Sequence, residues 1–222
     1  MMYETARSIL NMICEAGYEA YIVGGYPRDR YLGLESTDFD LCTNAPQALL
    51  ERLFTVKKTT FASSIIDVNG QAFQITLFRR DGTYKHHRFP EKITLVDDLK
   101  TDLQRRDFVI NTLCINAAGE EVDLLGARSD LDQRIIRVVG NADQKMEEDA
   151  LRILRAIRFA TVLDFTLDSE LQKAMMKHRH LVSQLSKHRQ QLEIAKIRGS
   201  RHANHGKQLL QQFHLEWLWT ED

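Results

Sequence analysis

Residues 23–41 read VGGYPRDRYLGLESTDFDL and join a paired-glycine turn to two aspartates that flank one apolar residue. The apolar run AYIVG, residues 20–24, leads into this segment and is typical of a buried strand. Gly24 and Gly25 allow a tight turn and close approach to a ligand. Pro27 fits the first turn of a helix, where its missing N–H is tolerated. The segment therefore predicts a strand, a glycine turn, a helix and a second strand in succession.

The second strand is predicted over DFDLCT, residues 38–43. Side-chain alternation would place Asp38 and Asp40 on one face of this strand. Phe39 and Leu41 would then enter the core on the other face. Two carboxylates at this spacing can share divalent cations, and a pair of metal ions is a common device for in-line attack on phosphorus. Aspartate pairs also occur in exposed turns, so the pair alone does not define a site.

The start of the helix after the glycine turn is a candidate phosphate site. Its unbonded backbone N–H groups would point toward whatever occupies the turn. Arg28 adds a planar cationic group in the same place, with a geometry that suits phosphate oxygens.

The chain of 222 residues, 43% of them hydrophobic, is long enough for one ordinary domain and a smaller one. Strand-like and helical stretches alternate up to about residue 142, and helical spacing dominates from Asp143 onward. These patterns predict an α/β domain over residues 1–142 and a helical domain over residues 143–222. The predicted strands are residues 20–24, 38–43, 64–68, 72–79 and 135–140, and the predicted helices after Asp143 include LRILRAIRFATVL, ELQKAMMKHRHLV and HRQQLEIAKIRG.

The composition fits neither a membrane span nor a disulfide-stabilised secreted domain. No run of about 18 apolar residues is present, and the amino-terminal segment carries acids within its apolar pattern, unlike a signal peptide. The three cysteines, Cys14, Cys42 and Cys114, are far apart and form no CxxC pair, so we expect them to be reduced and mostly buried. A cytoplasmic protein without a membrane partner is expected.

The formal net charge of -1 argues against a nucleic-acid-binding protein, but the charge is unevenly distributed. Between His178 and Lys207 the only acidic residue is Glu193. The basic residues of this segment are Arg179, Lys187, Arg189, Lys196, Arg198, Arg201 and Lys207. The segment either follows a phosphate backbone or forms the solvated face of a helix.

Two further motifs combine an aspartate with arginines. RRDFVINTLCIN, residues 105–116, places two arginines before Asp107, a candidate helix cap. EEDALRILRAIRF, residues 147–159, predicts a polar stripe on a helix. The stripe comprises Asp149, Arg152, Arg155 and Arg158, and the apolar side comprises mainly Leu151, Leu154, Ile157 and Val162. An exposed charged face would explain this spacing, but the regular series of arginines favours a nearby polyanion.

The chain contains five motifs that resemble, in order, those of class II tRNA nucleotidyltransferases, which are the CCA-adding enzymes and the related bacterial poly(A) polymerases. The motifs are GGYPRD, DFD, RRDFVIN, DLLGARSDL and EDALRILRAIRF, and the resemblance runs from about Tyr18 to Asp168. It implies an α/β (α+β) nucleotidyltransferase head of the DNA polymerase β-like superfamily, followed by an all-helical neck.

The resemblance also implies the site residues and the reaction. The implied roles are metal binding and catalysis by Asp38 and Asp40, triphosphate contacts by Gly25, Arg28 and Arg106, base recognition by Asp149 and Arg152, and contacts toward the nucleotide by Arg155 and Arg158. The implied reaction is magnesium-dependent addition of C and A to the 3′ end of tRNA from CTP and ATP. A carboxylate and a guanidinium suit the amine-beside-acceptor edge that cytosine and adenine share and that uracil and guanine lack.

Several departures from the family pattern keep other functions open. The family strand that corresponds to AFQITLFR usually carries a glutamate as a third acid, and this chain has Gln74 there. Where the family often has an HGT-like turn, this chain reads ASSI, and it stops at WLWTED without the helical body and tail of its relatives. The loop over residues 78–104 has the length expected for full CCA addition. The alternatives are a poly(A) polymerase and a catalytically weakened head–neck fragment that binds RNA or nucleotide.

Overall fold

The computed structural model describes residues 2–85 and 89–219, so part of the predicted loop, residues 86–88, lies outside the described residues. The chain divides into two compact units. The first unit comprises Met1–Gly82 and Lys92–Leu131, and the second comprises Thr83–Glu91 and Asp132–Asp222. The functional domain boundary at residue 142 remains a prediction.

Strands and helices alternate in the first part of the chain, and helices dominate the last part. The strands are β1 (Ala20–Val23), β2 (Asp40–Thr43), β3 (Thr55–Thr60), β4 (Ser63–Val68), β5 (Gln71–Leu77), β6 (Arg79–Asp81), β7 (Tyr84–Lys85), β8 (Phe89–Pro90), β9 (Ile93–Leu95), β10 (Cys114–Ile115), β11 (Glu121–Val122), β12 (Ile135–Ile136) and β13 (Thr166–Leu167). The α-helices are α1 (Met2–Glu15), α2 (Gly25–Tyr31), α3 (Gln47–Leu53), α4 (Leu99–Gln104), α5 (Ala127–Gln133), α6 (Ala142–Glu148), α7 (Leu151–Leu163), α8 (Ser169–His178), α9 (Lys187–Arg198) and α10 (Ala203–Gln212). Short 3-10 helices span Val109–Asn111, Arg179–Gln184 and Glu216–Leu218.

The first unit is built on a mixed seven-stranded sheet in the order β11-β10-β1-β2-β5-β4-β3. Strands β2 and β5 pair in parallel, and the other neighbours pair antiparallel. The larger core covers one face and includes buried side chains of α1 and α3. A smaller cluster on Val23, Cys42 and Cys114 includes Leu99 and Leu103 of α4. The sheet therefore has one fully covered face and one face whose cover is partial.

The strands predicted at 20–24, 64–68 and 72–79 are confirmed within two residues of their ends. The strand predicted from residue 38 begins at Asp40 instead, so Asp38 precedes it. Strand β3 was not predicted, because its sequence TVKKTT is almost fully exposed at the sheet edge and shows no apolar alternation.

The second unit is mainly helical, and the three helices predicted after Asp143 are confirmed as α7, α8 and α9. The prediction that this region is all-helical is wrong in one detail, because β13 pairs in parallel with β12. The predicted strand over residues 135–140 is reduced to this short pair. Leu154 and Ile157 are buried in α7 as predicted, but Val162 is exposed, because the core side of the helix runs through Ile153 and Ala160. Among the described residues, no helix is both long and apolar enough to cross a membrane.

Close packing at Gly206 gives a stability prediction. A Cβ at this position in α10 would lie 2.3 Å from Cγ2 of Ile197 in α9 and 2.6 Å from Oγ1 of Thr161 in α7. Helix propensity alone would make Gly206→Ala stabilising by up to about 1 kcal/mol. We expect the overlap to reverse this sign and lower the free energy of unfolding by about 1–3 kcal/mol, measured by urea denaturation.

The matched control is Gln208→Ala, on an exposed position of the same helix. This change should stay within about 0.5 kcal/mol of the parent. A rise in stability for Gly206→Ala would contradict the tight packing of α7, α9 and α10.

Candidate active site

The predicted metal ligands, Asp38 and Asp40, lie where the chain enters β2. Asp38 is exposed and Asp40 is half-buried, whereas Phe39 and Leu41 are 6% and 1% exposed. The predicted burial of the two apolar residues is therefore confirmed. Asp40 pairs with Val23 at the end of β1, so the carboxylate lies beside the glycine turn.

The glycine turn approaches the carboxylate of Asp40 closely. Gly24 has a φ of 86°, a conformation that favours glycine, and a Cβ there would lie 3.3 Å from Oδ2 of Asp40. Gly25 is the first residue of α2, and Pro27 is buried in its first turn, as predicted. Any side chain at position 24 would press on a predicted metal ligand.

Gln74 occupies the position next to Asp40 in the sheet. The parallel register of β2 and β5 pairs Asp40 directly with Gln74, which is exposed between the buried Phe73 and Ile75. A neutral amide thus stands beside the aspartate, on the strand where the family resemblance predicts a third acid. In the described part of the chain, no group of three or more His, Cys, Asp or Glu residues could hold a metal ion.

A metal ion at this site would rely on two protein carboxylates. Asp38 and Asp40 are oxygen ligands of the kind that Mg²⁺ prefers, and one or two carboxylates with water and substrate phosphates is its usual set in nucleotide enzymes. The donor set therefore fits Mg²⁺ bound together with a nucleotide.

Arg28 is oriented by two side chains that the sequence analysis did not single out. The arginine is 9% exposed, its Nε donates to Oδ1 of Asp29 at 2.8 Å, and its Nη1 donates to Oδ1 of Asn111 at 2.7 Å. Asn111 in turn donates from Nδ2 to Oδ1 of Asp107 at 3.2 Å. Asp107 also accepts the backbone N–H of Phe108 and precedes a 3-10 helix, Val109–Asn111, so the prediction that it caps a helix is wrong. Asp29 and Asn111 belong to the motifs GGYPRD and RRDFVIN, which was the signal available in the sequence.

Arg106 lies on the same face of the sheet as Asp40. Its guanidinium is close enough to Cys42 to oppose the rise in the pKa of that thiol, which burial raises well above its usual range. Cys42 and Asp40 are two residues apart in β2, so their side chains share a face. Asp40, the glycine turn and Arg106 thus lie on the same side of the sheet in the first unit.

The remaining predicted residues belong to the second unit, around the start of α7. Asp149 follows α6 and its Oδ1 accepts the backbone N–H of Leu151 at 3.0 Å. Arg152 is 5% exposed, and its Nη1 donates to the carbonyl of Lys145 at 2.7 Å and to Oε2 of Glu148 at 3.1 Å. The interpretation as a simple exposed charged face is therefore wrong for Arg152, because its contacts with α6 fix its orientation.

The next two arginines of the series share an aromatic neighbour. The guanidinium carbons of Arg155 and Arg158 lie 5.5 Å and 4.0 Å from the ring centroid of Phe159. Arg158 also donates from Nε to Glu193, whose side chain is almost fully buried on α9. Sequence reasoning missed this pairing because the two residues lie far apart in the chain.

The burial of Glu193 leaves the basic segment His178–Lys207 with a cationic surface. Glu193 is 6% exposed and bound to Arg158, so the segment's only acid does not offset its surface charge. The exposed basic residues are Lys187, Lys196, Arg198, Arg201 and Lys207.

A mixed sheet that carries an aspartate beside a glycine turn, with an arginine on the same face, fits the head domain of a nucleotidyltransferase that the sequence motifs predicted. A family model described as the poly A polymerase head domain matches residues 20–137, and this chain belongs to that family. A second model, described as a probable RNA and SrmB-binding site of polymerase A, matches residues 164–216, which include the whole basic segment.

Curated relatives and solved structures agree with this assignment. The chain is 38% identical to a CCA-adding enzyme of Limosilactobacillus reuteri over 88% of this chain and 49% of the relative. It is 37% identical to that of Bacillus subtilis over 95% of this chain and 54% of the relative. The crystal structure of Bacillus stearothermophilus CCA-adding enzyme in complex with CTP is similar, with a TM-score of 0.88 and 31% identity over 96% of this chain and 53% of that one. The chain spans about half the length of the curated relatives it matches.

Proposed function

We propose that this protein adds C and A to the 3′ end of tRNA, using CTP and ATP with Mg²⁺, in the cytoplasm. The observation that carries the proposal is the pairing of Asp40 with the glycine turn on the sheet face that also holds Arg106. Similarity over 88% of the chain to CCA-adding enzymes, and to one such enzyme solved with CTP, supports the choice of reaction.

In the proposed reaction the predicted residues have separate tasks. Asp38 and Asp40 would hold Mg²⁺, which would stabilise the negative charge on the phosphate oxygens as the RNA 3′ hydroxyl attacks the α-phosphorus, loses its proton and displaces pyrophosphate. Arg28 and Arg106 would hold the triphosphate, since guanidinium groups donate paired hydrogen bonds to phosphate oxygens. Asp149 would accept the exocyclic amine of cytosine or adenine, and Arg152 would donate to the adjacent ring acceptor.

The test is incorporation of labelled CTP and ATP into tRNA that lacks its 3′ CCA, with each nucleotide given separately and together. Addition of two C residues and then one A supports the proposal. Long products from ATP alone would identify a poly(A) polymerase. Binding of RNA or nucleotide without incorporation would identify the weakened head–neck fragment.

Gln74→Glu tests the metal site through the position paired with Asp40. A third carboxylate there should tighten metal binding and raise the rate of nucleotide addition roughly tenfold at low magnesium, equal to about 1.4 kcal/mol. The measurement is the initial rate against magnesium concentration, with the melting temperature recorded with and without the ion.

If no metal ion binds at this position, Gln74→Glu should lower the stability of the protein instead. Without a nearby metal, three adjacent carboxylates repel each other and destabilise the fold. A lower melting temperature that magnesium does not restore, with no gain in rate, would contradict the metal site. Ala48→Glu, on an exposed position of α3, adds the same charge elsewhere in the first unit and should leave both quantities unchanged.

A further inference from the structure

Asp102 is a fully buried carboxylate at which two arginines of the first unit converge. Its side chain in α4 is 0% exposed. Oδ1 accepts from Nε of Arg105 at 2.8 Å and from the backbone N–H of Arg79 at 3.2 Å, and Oδ2 accepts from Nη2 of Arg106 at 2.9 Å. Asp102 carries none of the roles assigned above.

The charges in this cluster do not balance. One carboxylate faces two guanidinium groups, whose side chains are only 14% and 15% exposed for Arg105 and Arg106. The neighbouring Cys114 thiol does not supply negative charge at neutral pH, because burial raises its pKa to about 12. A buried excess cation is costly unless an anion completes the site.

Arg106 also has an unused donor. Its Nε is buried and has no hydrogen-bond partner among the described residues, although Nη2 is held by Asp102. Because the guanidinium is planar and rigid, fixing one N–H group fixes the direction of the others. The contact with Asp102 therefore fixes the direction in which the remaining N–H groups of Arg106 can donate to phosphate oxygens.

We propose that Asp102 is a positioning residue, which holds Arg106 in the orientation that binds the triphosphate of the incoming nucleotide. The proposal rests on the proposed function, since it assigns a use to a residue placed at the triphosphate. Asp102 itself does not touch the nucleotide. If Asp102 served only to bind the backbone of Arg79, it would be a purely structural link between α4 and β6. The two roles can be separated, because an uncharged substitution should weaken triphosphate binding only if Asp102 orients Arg106.

Asp102→Asn keeps the size of the side chain and an acceptor for Arg79, but removes the charge that orients Arg106. The affinities for CTP and for inorganic triphosphate should both fall about tenfold, whereas the affinity for cytidine should not change, since it has no phosphate. The KM for CTP should rise while kcat changes less, because the contact acts on binding of the triphosphate. Binding is measured by calorimetry on the full chain.

A double-mutant cycle separates positioning from general stability. If Asp102 acts through Arg106, Asp102→Asn should cause no further loss of triphosphate affinity in the Arg106→Ala background. The matched control is Asp130→Asn, which neutralises another buried acid of the first unit, 3% exposed in α5, and should leave triphosphate binding unchanged.

Each outcome decides the proposal. A folded Asp102→Asn protein that binds triphosphate like the parent, or a loss that persists in the Arg106→Ala background, overturns it. If Asp102→Asn does not fold, Asp102→Glu takes its place, because it keeps the charge but displaces the carboxylate. Triphosphate binding by Asp102→Glu that equals the parent's would also overturn the proposal. A parent protein that binds no CTP at all refutes the proposed function as well, so the parent is measured first.

Discussion

Alanine at Asp38 or Asp40 is expected to abolish nucleotide transfer, with a loss of at least about 10³-fold in rate, because each would remove a predicted metal ligand and several kcal/mol of transition-state stabilisation. The fold should be retained, since Asp38 is exposed and Asp40 is half-buried at the end of its strand. The rate of labelled CTP incorporation into tRNA lacking its 3′ end measures the loss. Thermal melting monitored by circular dichroism checks the fold.

Glu35→Ala is the matched control for these variants. Glu35 is an exposed acid shortly before Asp38, outside the predicted site. It should keep the parental rate. Retention of activity by either aspartate variant would remove the two-metal mechanism from the proposed function.

Substitution of Asp149 is expected to change which nucleotides the protein accepts. Asp149→Ala removes the acceptor for the exocyclic amine and should reduce discrimination against UTP and GTP by about 10- to 100-fold. Asp149→Asn should go further toward UTP, because an amide N–H₂ can donate to the carbonyl that uracil presents in place of the amine. Relative kcat/KM for the four nucleotides measures both effects.

Comparison of Asp149→Ala with Asp149→Asn also separates base recognition from the structural contact that Asp149 makes with Leu151. Its Oδ1 accepts the N–H of Leu151, a contact whose loss in Asp149→Ala costs about 1 kcal/mol of stability. Asparagine keeps an oxygen for this bond, so Asp149→Asn should melt like the parent. If both variants keep the nucleotide selectivity of the parent, Asp149 has only the structural contact with Leu151 and does not recognise the base.

Local patterns in the sequence predicted the parts of the fold in which side-chain alternation reports burial. The buried series Phe73, Ile75 and Leu77 defines β5 in this way, and Phe39 and Leu41 do so for β2. The same reasoning failed for β3, whose polar sequence at a sheet edge carries no such signal. It also misjudged Val162, because the register of the core side of α7 depends on which helices pack against it.

The candidate residues themselves came from motifs, whereas their contacts did not. The position of Gln74 beside Asp40 depends on parallel pairing between strands that are distant in sequence. The bonds from Arg28 to Asn111 and from Arg158 to Glu193 likewise join distant segments. No spacing rule within a motif predicts such partners, because the tertiary fold alone brings them within hydrogen-bonding distance.

The small size of Gly24 has a consequence for the geometry of Asp40. Because a Cβ at position 24 would lie only 3.3 Å from Oδ2, the glycine leaves free the space beside this carboxylate oxygen. A larger residue would have to displace the carboxylate or strain the backbone, whose φ of 86° favours glycine. The position of a predicted metal ligand thus depends on the size of a residue that is not itself a predicted ligand.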